Sequence, residues 1–190
     1  MKEKKIIVTG SSRGLGLHIA NKLLQEQHKV IFNGRSKKKK INYISGDFSN
    51  SVSSKKIIEK SYNTLKGLDV LICNIGQSKS SLPNKETYND WKKMFDQNFF
   101  TTINAIEASK KYLIKSRGSI ICISSICGSE FIKGAPITYS VSKAALNFYA
   151  KSISHYLGRL GVRINVISPG NLMFKDSVWH KKIKKDKKKV

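Results

Sequence analysis

No apolar run in the chain approaches the roughly 18 residues of a membrane-crossing helix, so no membrane partner is expected. The first residues, Met1-Lys2-Glu3-Lys4-Lys5-Ile6, lead straight into a strand-like segment and lack the apolar core of a secretory signal. Cysteine is scarce: Cys73, Cys122 and Cys127 have no metal-ligand spacing, and two of them sit in apolar runs. They read as reduced, mostly buried thiols of a cytoplasmic protein, with no metal site. Acidic residues are also few, 12 against 36 Lys and Arg, for a net charge of +24. Such an excess suits a polyanion partner. Yet arginine is scarce within it, at 5 against 31 Lys, in a chain also rich in Ile, Asn and Ser. A genome-wide codon bias gives that skew without any nucleic-acid partner. Repeats at solenoid periods are lacking as well.

What is present is alternation. One hundred and ninety residues make one domain with room for a core. Short apolar runs at 6–8, 30–32, 41–44, 70–72, 120–123 and 164–167 are separated by longer stretches with helical spacing. Ile19, Ala20, Leu23 and Leu24 share a face, as do Ile58, Tyr62 and Leu65 behind a Ser-rich start near Ser51. Trp91, Met94, Phe95, Phe99, Ile103 and Ile106 form a longer stripe, and Ala145, Tyr149, Tyr156 and Leu160 another. Continuous apolar runs suit strands buried on both faces of a parallel sheet. The pattern predicts an α/β fold, a doubly wound parallel sheet in a three-layer αβα arrangement. Only Ser36 and the lysines at 37–40 separate the second and third runs, too few for a crossover helix. Either the connection is extended or the third run is not a strand.

After the first run comes Thr9-Gly10-Ser11-Ser12-Arg13-Gly14-Leu15-Gly16, opening the first helix. Glycines there allow a tight turn, admit a pyrophosphate close to the backbone and leave the helix N-terminus to bind it. The spacing is G-x-x-x-G-x-G, not the general dinucleotide fingerprint, and a tight turn alone also requires glycine. The second run ends Phe32-Asn33-Gly34-Arg35, without the acid that bonds the ribose hydroxyls in NAD binders. Arg35, with Arg13 from the turn, offers a fork for a 2′-phosphate, which favours NADP(H). Arg35 as a solvated head beside a lysine run is the other reading, and the lysines at 37–40 read as a solvated face.

Tyr139 and Lys143 are an i, i+4 pair on one helix, so the ammonium can approach the phenol and favour phenolate. Ser125 follows the apolar strand at 120–123, where ligands bind in such sheets. Asn98 is a polar residue inside an apolar stripe. Each has an ordinary explanation alone, since Tyr-x-x-x-Lys is common and Asn98 suits a bonded core polar group.

Together they resemble the short-chain dehydrogenase/reductase family, in its single-domain branch with an extended Rossmann fold. Matching residues run from Thr9 to Gly170 in the family's order. The turn, with Gly10, Ser12, Arg13, Gly14, Leu15 and Gly16, fits the family's T-G-x-x-x-G-x-G. Asp47, followed by Phe48, matches the aspartate that binds adenine. Asn74 and Gly76, in Cys73-Asn74-Ile75-Gly76, match a strand-end motif, and Pro169-Gly170 the turn bordering the nicotinamide. Asn98, Ser125, Tyr139 and Lys143 fill the catalytic tetrad. The resemblance implies Tyr139 as proton donor or acceptor, and Lys143 as the group that lowers its pKa and bonds the nicotinamide ribose. It also implies Ser125 on the substrate oxygen and Asn98 holding a water. 3-Oxoacyl-acyl-carrier-protein reductases and sugar-modifying reductases look most similar. The expected partners are a small-molecule or carrier-bound carbonyl substrate and a second copy of the chain. A homodimer or homotetramer would form through the helices at 88–114 and 138–160.

The chain departs from the family after Asn171-Leu172-Met173-Phe174, which lacks the Thr or Ser often found there. Residues 175–190 carry eight Lys against two Asp. The expected organisation is therefore a Rossmann-type catalytic domain over 1–174 and a Lys-rich tail over 175–190, an incomplete substrate lid. The seventh strand and final helix would be missing, as in a C-terminally truncated homologue, which leaves a non-catalytic cofactor-binding relative as the alternative.

Overall fold

The computed structural model describes residues 2–38, 41–172 and His180. Strands and helices alternate: β1 (Lys5–Val8), α1 (Gly14–Gln25), β2 (Lys29–Gly34), β3 (Tyr43–Ser45), α2 (Ser51–Leu65) and β4 (Val70–Cys73). Then follow α3 (Tyr88–Phe95), a π-helical turn (Asp96–Phe100), α4 (Thr101–Ser116), β5 (Ser119–Ile123), a 3-10 turn (Ile126–Gly128), α5 (Ile137–Arg159) and β6 (Arg163–Ile167). The six strands form one parallel sheet in the order β3-β2-β1-β4-β5-β6. The doubly wound α/β sheet expected from the alternation is the fold.

Successive side chains of a strand point to opposite faces, so a fully apolar strand needs a core on each side. Ile7, Ile31 and Leu71 pack into one core under α2, α4 and α5, with Leu113 and Leu157. Ile6, Val8, Val30, Phe32 and Ile72 pack into the other with Ala20 of α1. The helices therefore lie in two layers with the sheet between them. β6 is the exception: Ile164 and Val166 face the core, whereas Arg163, Asn165 and Ile167 are exposed along an edge.

The third apolar run is a strand after all, but a shorter one. It begins at Tyr43, which pairs with Phe32, and Ile41 lies outside it, 87% exposed. The described part of the connection at 35–42 holds no helix. α2 starts at an Asn50 cap, whose Oδ1 accepts the Val52 and Ser53 N–H groups at 2.8 and 3.1 Å. Cys73 and Cys122 are buried neighbours in register on β4 and β5, and Cys127 is half-buried; all three are free. The tail expected over 175–190 lies outside the described residues, apart from His180. Among the described residues no helix is long and apolar enough to cross a membrane.

Candidate active site

In this strand order the chain leaves β1 for β2 and β3, then returns to lay β4 on the other side of β1. The loops leaving β1 and β4 diverge to opposite faces, which opens a crevice at their carboxyl ends. A cavity of about 690 Å³ lies there. Its lining includes Gly10, Ser12, Arg13, Gly14, Leu15, Gly16, Arg35, Asp47, Phe48, Asn74 and Gly76. All eleven come from the glycine turn and the ends of β2, β3 and β4.

The turn is held from both sides. Asn74 donates its Nδ2 to the Thr9 and Gly10 carbonyls at 3.2 and 3.1 Å, and the Thr9 hydroxyl accepts the Asn74 N–H at 3.0 Å. Gly10 and Gly14 have φ of +62° and +59°, which a side chain would resist. A Cβ at Gly16 would overlap Asn74 Nδ2 and stand 2.6 Å from the Gly10 carbonyl oxygen. Arg13 occupies the N-cap of α1 without a side-chain cap bond, so the first N–H groups of the helix have no side-chain acceptor there. This is the construction that holds a pyrophosphate.

Cations outnumber anions around the cavity. Arg13, Arg35, Lys92 and Lys93 line it against Asp47 and Asp96, and Lys92 is tied to Asp96 at 2.8 Å. Lys39 and Lys40 lie outside the described residues, and Lys38, at the surface, donates its Nζ to the Ser12 carbonyl at 2.7 Å. Asp47 accepts the Ser49 N–H at 2.9 Å. Phe48 borders the cavity but is itself wholly buried in the core, and its carbonyl receives Asn104 Nδ2 at 2.9 Å.

Asn98 sits in the π-turn and is fully buried. Its side chain closes two bonds on the backbone of one residue: Oδ1 accepts the Gln77 N–H at 2.8 Å and Nδ2 donates to the Gln77 carbonyl at 3.0 Å. Gly76 lies between Asn98 and Lys143: a Cβ there would be 2.8 Å from Asn98 Oδ1 and 3.3 Å from Lys143 Nζ. Ser125 is buried at the end of β5, and its hydroxyl oxygen accepts the Cys127 N–H at 3.2 Å. Burial raises the Tyr139 pKa, the nearby Ser125 side chain opposes it, and the balance is a rise.

The Lys143 ammonium donates to the Ile123 carbonyl at 2.8 Å, and its burial pulls its own pKa down to about 8. Sharing a helix face puts two residues side by side without deciding where a long side chain finds its acceptor. Pro169 joins this end of the site through its carbonyl, which accepts the Ile126 N–H at 3.1 Å, and Gly170 lies beside Ile126. Among the described residues no group of three or more His, Cys, Asp or Glu is gathered as a metal site.

Residues 4–186 match the sequence model of the short chain dehydrogenase family. The chain belongs to that family. It is 31% identical over 182 residues to an uncharacterized oxidoreductase of Staphylococcus aureus (strain MW2), covering 90% of this chain and 78% of that one. Ligand-free aldohexose dehydrogenase of Thermoplasma acidophilum superposes with a TM-score of 0.81 at 30% identity, over 89% of this chain and 67% of that one. ElxO, solved with NADP bound, superposes with a TM-score of 0.88 at 25% identity, over 98% and 80%.

Two supports of this short-chain dehydrogenase were not visible in the spacing. Asn33, noted in the sequence only for not being acidic, is buried at the end of β2 on the cavity wall. It accepts the Gly10 N–H at 3.2 Å and donates to the Ile44 and Gly46 carbonyls at 3.1 and 3.3 Å. A polar residue closing an apolar strand was the available signal. Gly128 lets the loop after Ser125 lie on α5, since a Cβ there would stand 2.8 Å from the Lys143 carbonyl carbon. Nothing local marks it.

Proposed function

We propose that this short-chain dehydrogenase is an NADP(H)-dependent oxidoreductase that interconverts a carbonyl and a secondary alcohol. The observation that carries the reading is that Gly76, on the cavity wall, lies between Asn98 and Lys143, with Tyr139 one turn before Lys143 on α5. When bound, the nicotinamide supplies or accepts the hydride. Tyr139 gives its hydroxyl proton to the substrate oxygen in reduction and takes it back in oxidation. Ser125 holds and polarises that oxygen. Lys143 bonds the ribose and favours the phenolate once the site is filled, and Asn98 orders the water that connects Lys143 to solvent.

The adenosine end supports the phosphorylated cofactor. Arg13 and Arg35 border the cavity and no acid stands at Asn33, Gly34 or Arg35. The binding of NADP by ElxO agrees with that choice. Substrates are a 3-oxoacyl thioester or a keto-sugar, and the likeness to an aldohexose dehydrogenase favours the sugar. The enzyme works in the cytoplasm as a homodimer or homotetramer. Ile137, Val141 and Phe148 expose apolar surface along one face of α5, which a second copy would cover.

NADPH oxidation with a panel of 3-oxoacyl thioesters and keto-sugars tests the reading. Tyr139→Phe is expected to abolish turnover with NADPH affinity unchanged; turnover at the wild-type rate overturns the assignment. Arg35→Ala is expected to weaken NADPH binding roughly tenfold or more, the loss of a charge-assisted bond, and NADH binding little. Equal losses for both cofactors count against the 2′-phosphate contact.

A further inference from the structure

We infer that Glu86 is a positioning residue for Tyr139, supplying from the β4–α3 loop the cap that the helix carrying Tyr139 lacks. The inference rests on the reading of Tyr139 as the proton donor. α5 begins at Ile137, so Tyr139 is in its first turn, while Lys143 lies a turn further in. The first N–H groups of a helix have no partner inside it, and Pro136 at the N-cap has no side-chain acceptor to offer them.

Glu86, 51 residues earlier, fills that place. Its Oε1 accepts the Ile137 N–H at 2.7 Å. Burial pushes its carboxyl up, but bonds from the Ile137 and Thr138 N–H groups, with two from its own loop, hold it below the ordinary value. A carboxylate also suits the positive end of the helix. A second tether lies one residue before Tyr139: the Ser80 and Thr138 hydroxyls are 2.9 Å apart, and Thr138 is wholly buried.

Both tethers belong to the loop that leaves β4. The same loop begins with Asn74, Ile75, Gly76 and Gln77 on the cavity wall, and Asn98 grips both backbone groups of Gln77. One segment therefore touches the cofactor cavity, Asn98 and the first turn of α5. Lys143 is anchored independently through the Ile123 carbonyl. Removing Glu86 loosens the turn that holds Tyr139 and leaves Lys143 in place.

Three proteins test this: Glu86→Ala, Glu86→Gln, which keeps an acceptor oxygen, and the wild type, each assayed with NADPH and the carbonyl compound of the panel that the wild type reduces fastest. Glu86→Ala is expected to lower kcat about tenfold, the scale of a lost helix cap, with unchanged NADPH affinity. Glu86→Gln is expected to restore most of it. Without substrate, 3-fluorotyrosine at position 139 should give one sharp fluorine resonance in the wild type and in Glu86→Gln, and a broadened or split one in Glu86→Ala. A wild-type kcat in Glu86→Ala, or equal losses in the Ala and Gln variants, overturns the inference. If Glu86→Ala folds poorly, Ser80→Ala serves instead, with a smaller fall in kcat expected and an unchanged kcat counting against the inference. Turnover surviving in Tyr139→Phe overturns the underlying reading itself, and is distinguishable because it does not involve Glu86.

Discussion

Burial of the Lys143 ammonium beneath the end of β5 brings its pKa from 10.5 to about 8. An amine with a lower pKa in the folded than in the unfolded chain binds fewer protons when folded, between those two values. Stability from this residue therefore rises with pH from about 8 to 10.5, and the cost of burying the charge is greatest below that window. Denaturant unfolding across pH 7.5 to 10.5 should show the wild type gaining on Lys143→Met by up to about 3 kcal/mol. A difference that stays flat with pH would mean that Lys143 titrates normally. At this scale the spacing of Tyr139 and Lys143 is local to one helix, whereas the Ile123 carbonyl that holds Lys143 belongs to another element.

The glycine turn is the element on which the cofactor reading stands. In Gly16→Ala the added methyl meets the Gly10 carbonyl and the Asn74 amide, neither of which can move without opening the turn. The variant should lose about 1–3 kcal/mol of stability by crowding a packed site. Its NADPH affinity, read by fluorescence titration, should drop at least tenfold; wild-type affinity would place the pyrophosphate elsewhere. A second element shows where periodicity stops being informative. The stripe from Trp91 to Ile106 predicts one helix over 88–114, and the chain is indeed helical from Tyr88 to Ser116. The π-turn within it escapes a period of 3.6, because a stripe of apolar residues records which face is buried and not which carbonyl each N–H reaches. That turn carries Asn98.

At the scale of the whole molecule, the charge of +24 meets only surface ion pairs among the described residues, such as Lys29–Glu3 and Lys92–Asp96, each worth about a kcal/mol or less. Stability rests on the two cores against the sheet. The exposed face of α5 is the place where a second copy would add to them. Phe148, 72% exposed, is central to that face, so Phe148→Glu should convert the assembly to monomers in sedimentation velocity while NADPH affinity is retained. A wild-type chain that already sediments as a monomer would remove the proposed homo-oligomer.

By itself the sequence determined the layers, the parallel sheet and the glycine turn that lines the crevice. Strand runs, helical spacing and glycine turns are properties of a few neighbouring residues, and short-range sterics and burial enforce them wherever they occur. Only the tertiary structure decided that Asn33 ties the glycine turn to two strands. It also decided that β3 is shorter than its apolar run, that Asn98 hangs from a π-turn, and that Lys143 bonds the Ile123 carbonyl. Those outcomes depend on which carbonyls and amides distant segments bring within about 3 Å of one another, and no local pattern encodes that distance.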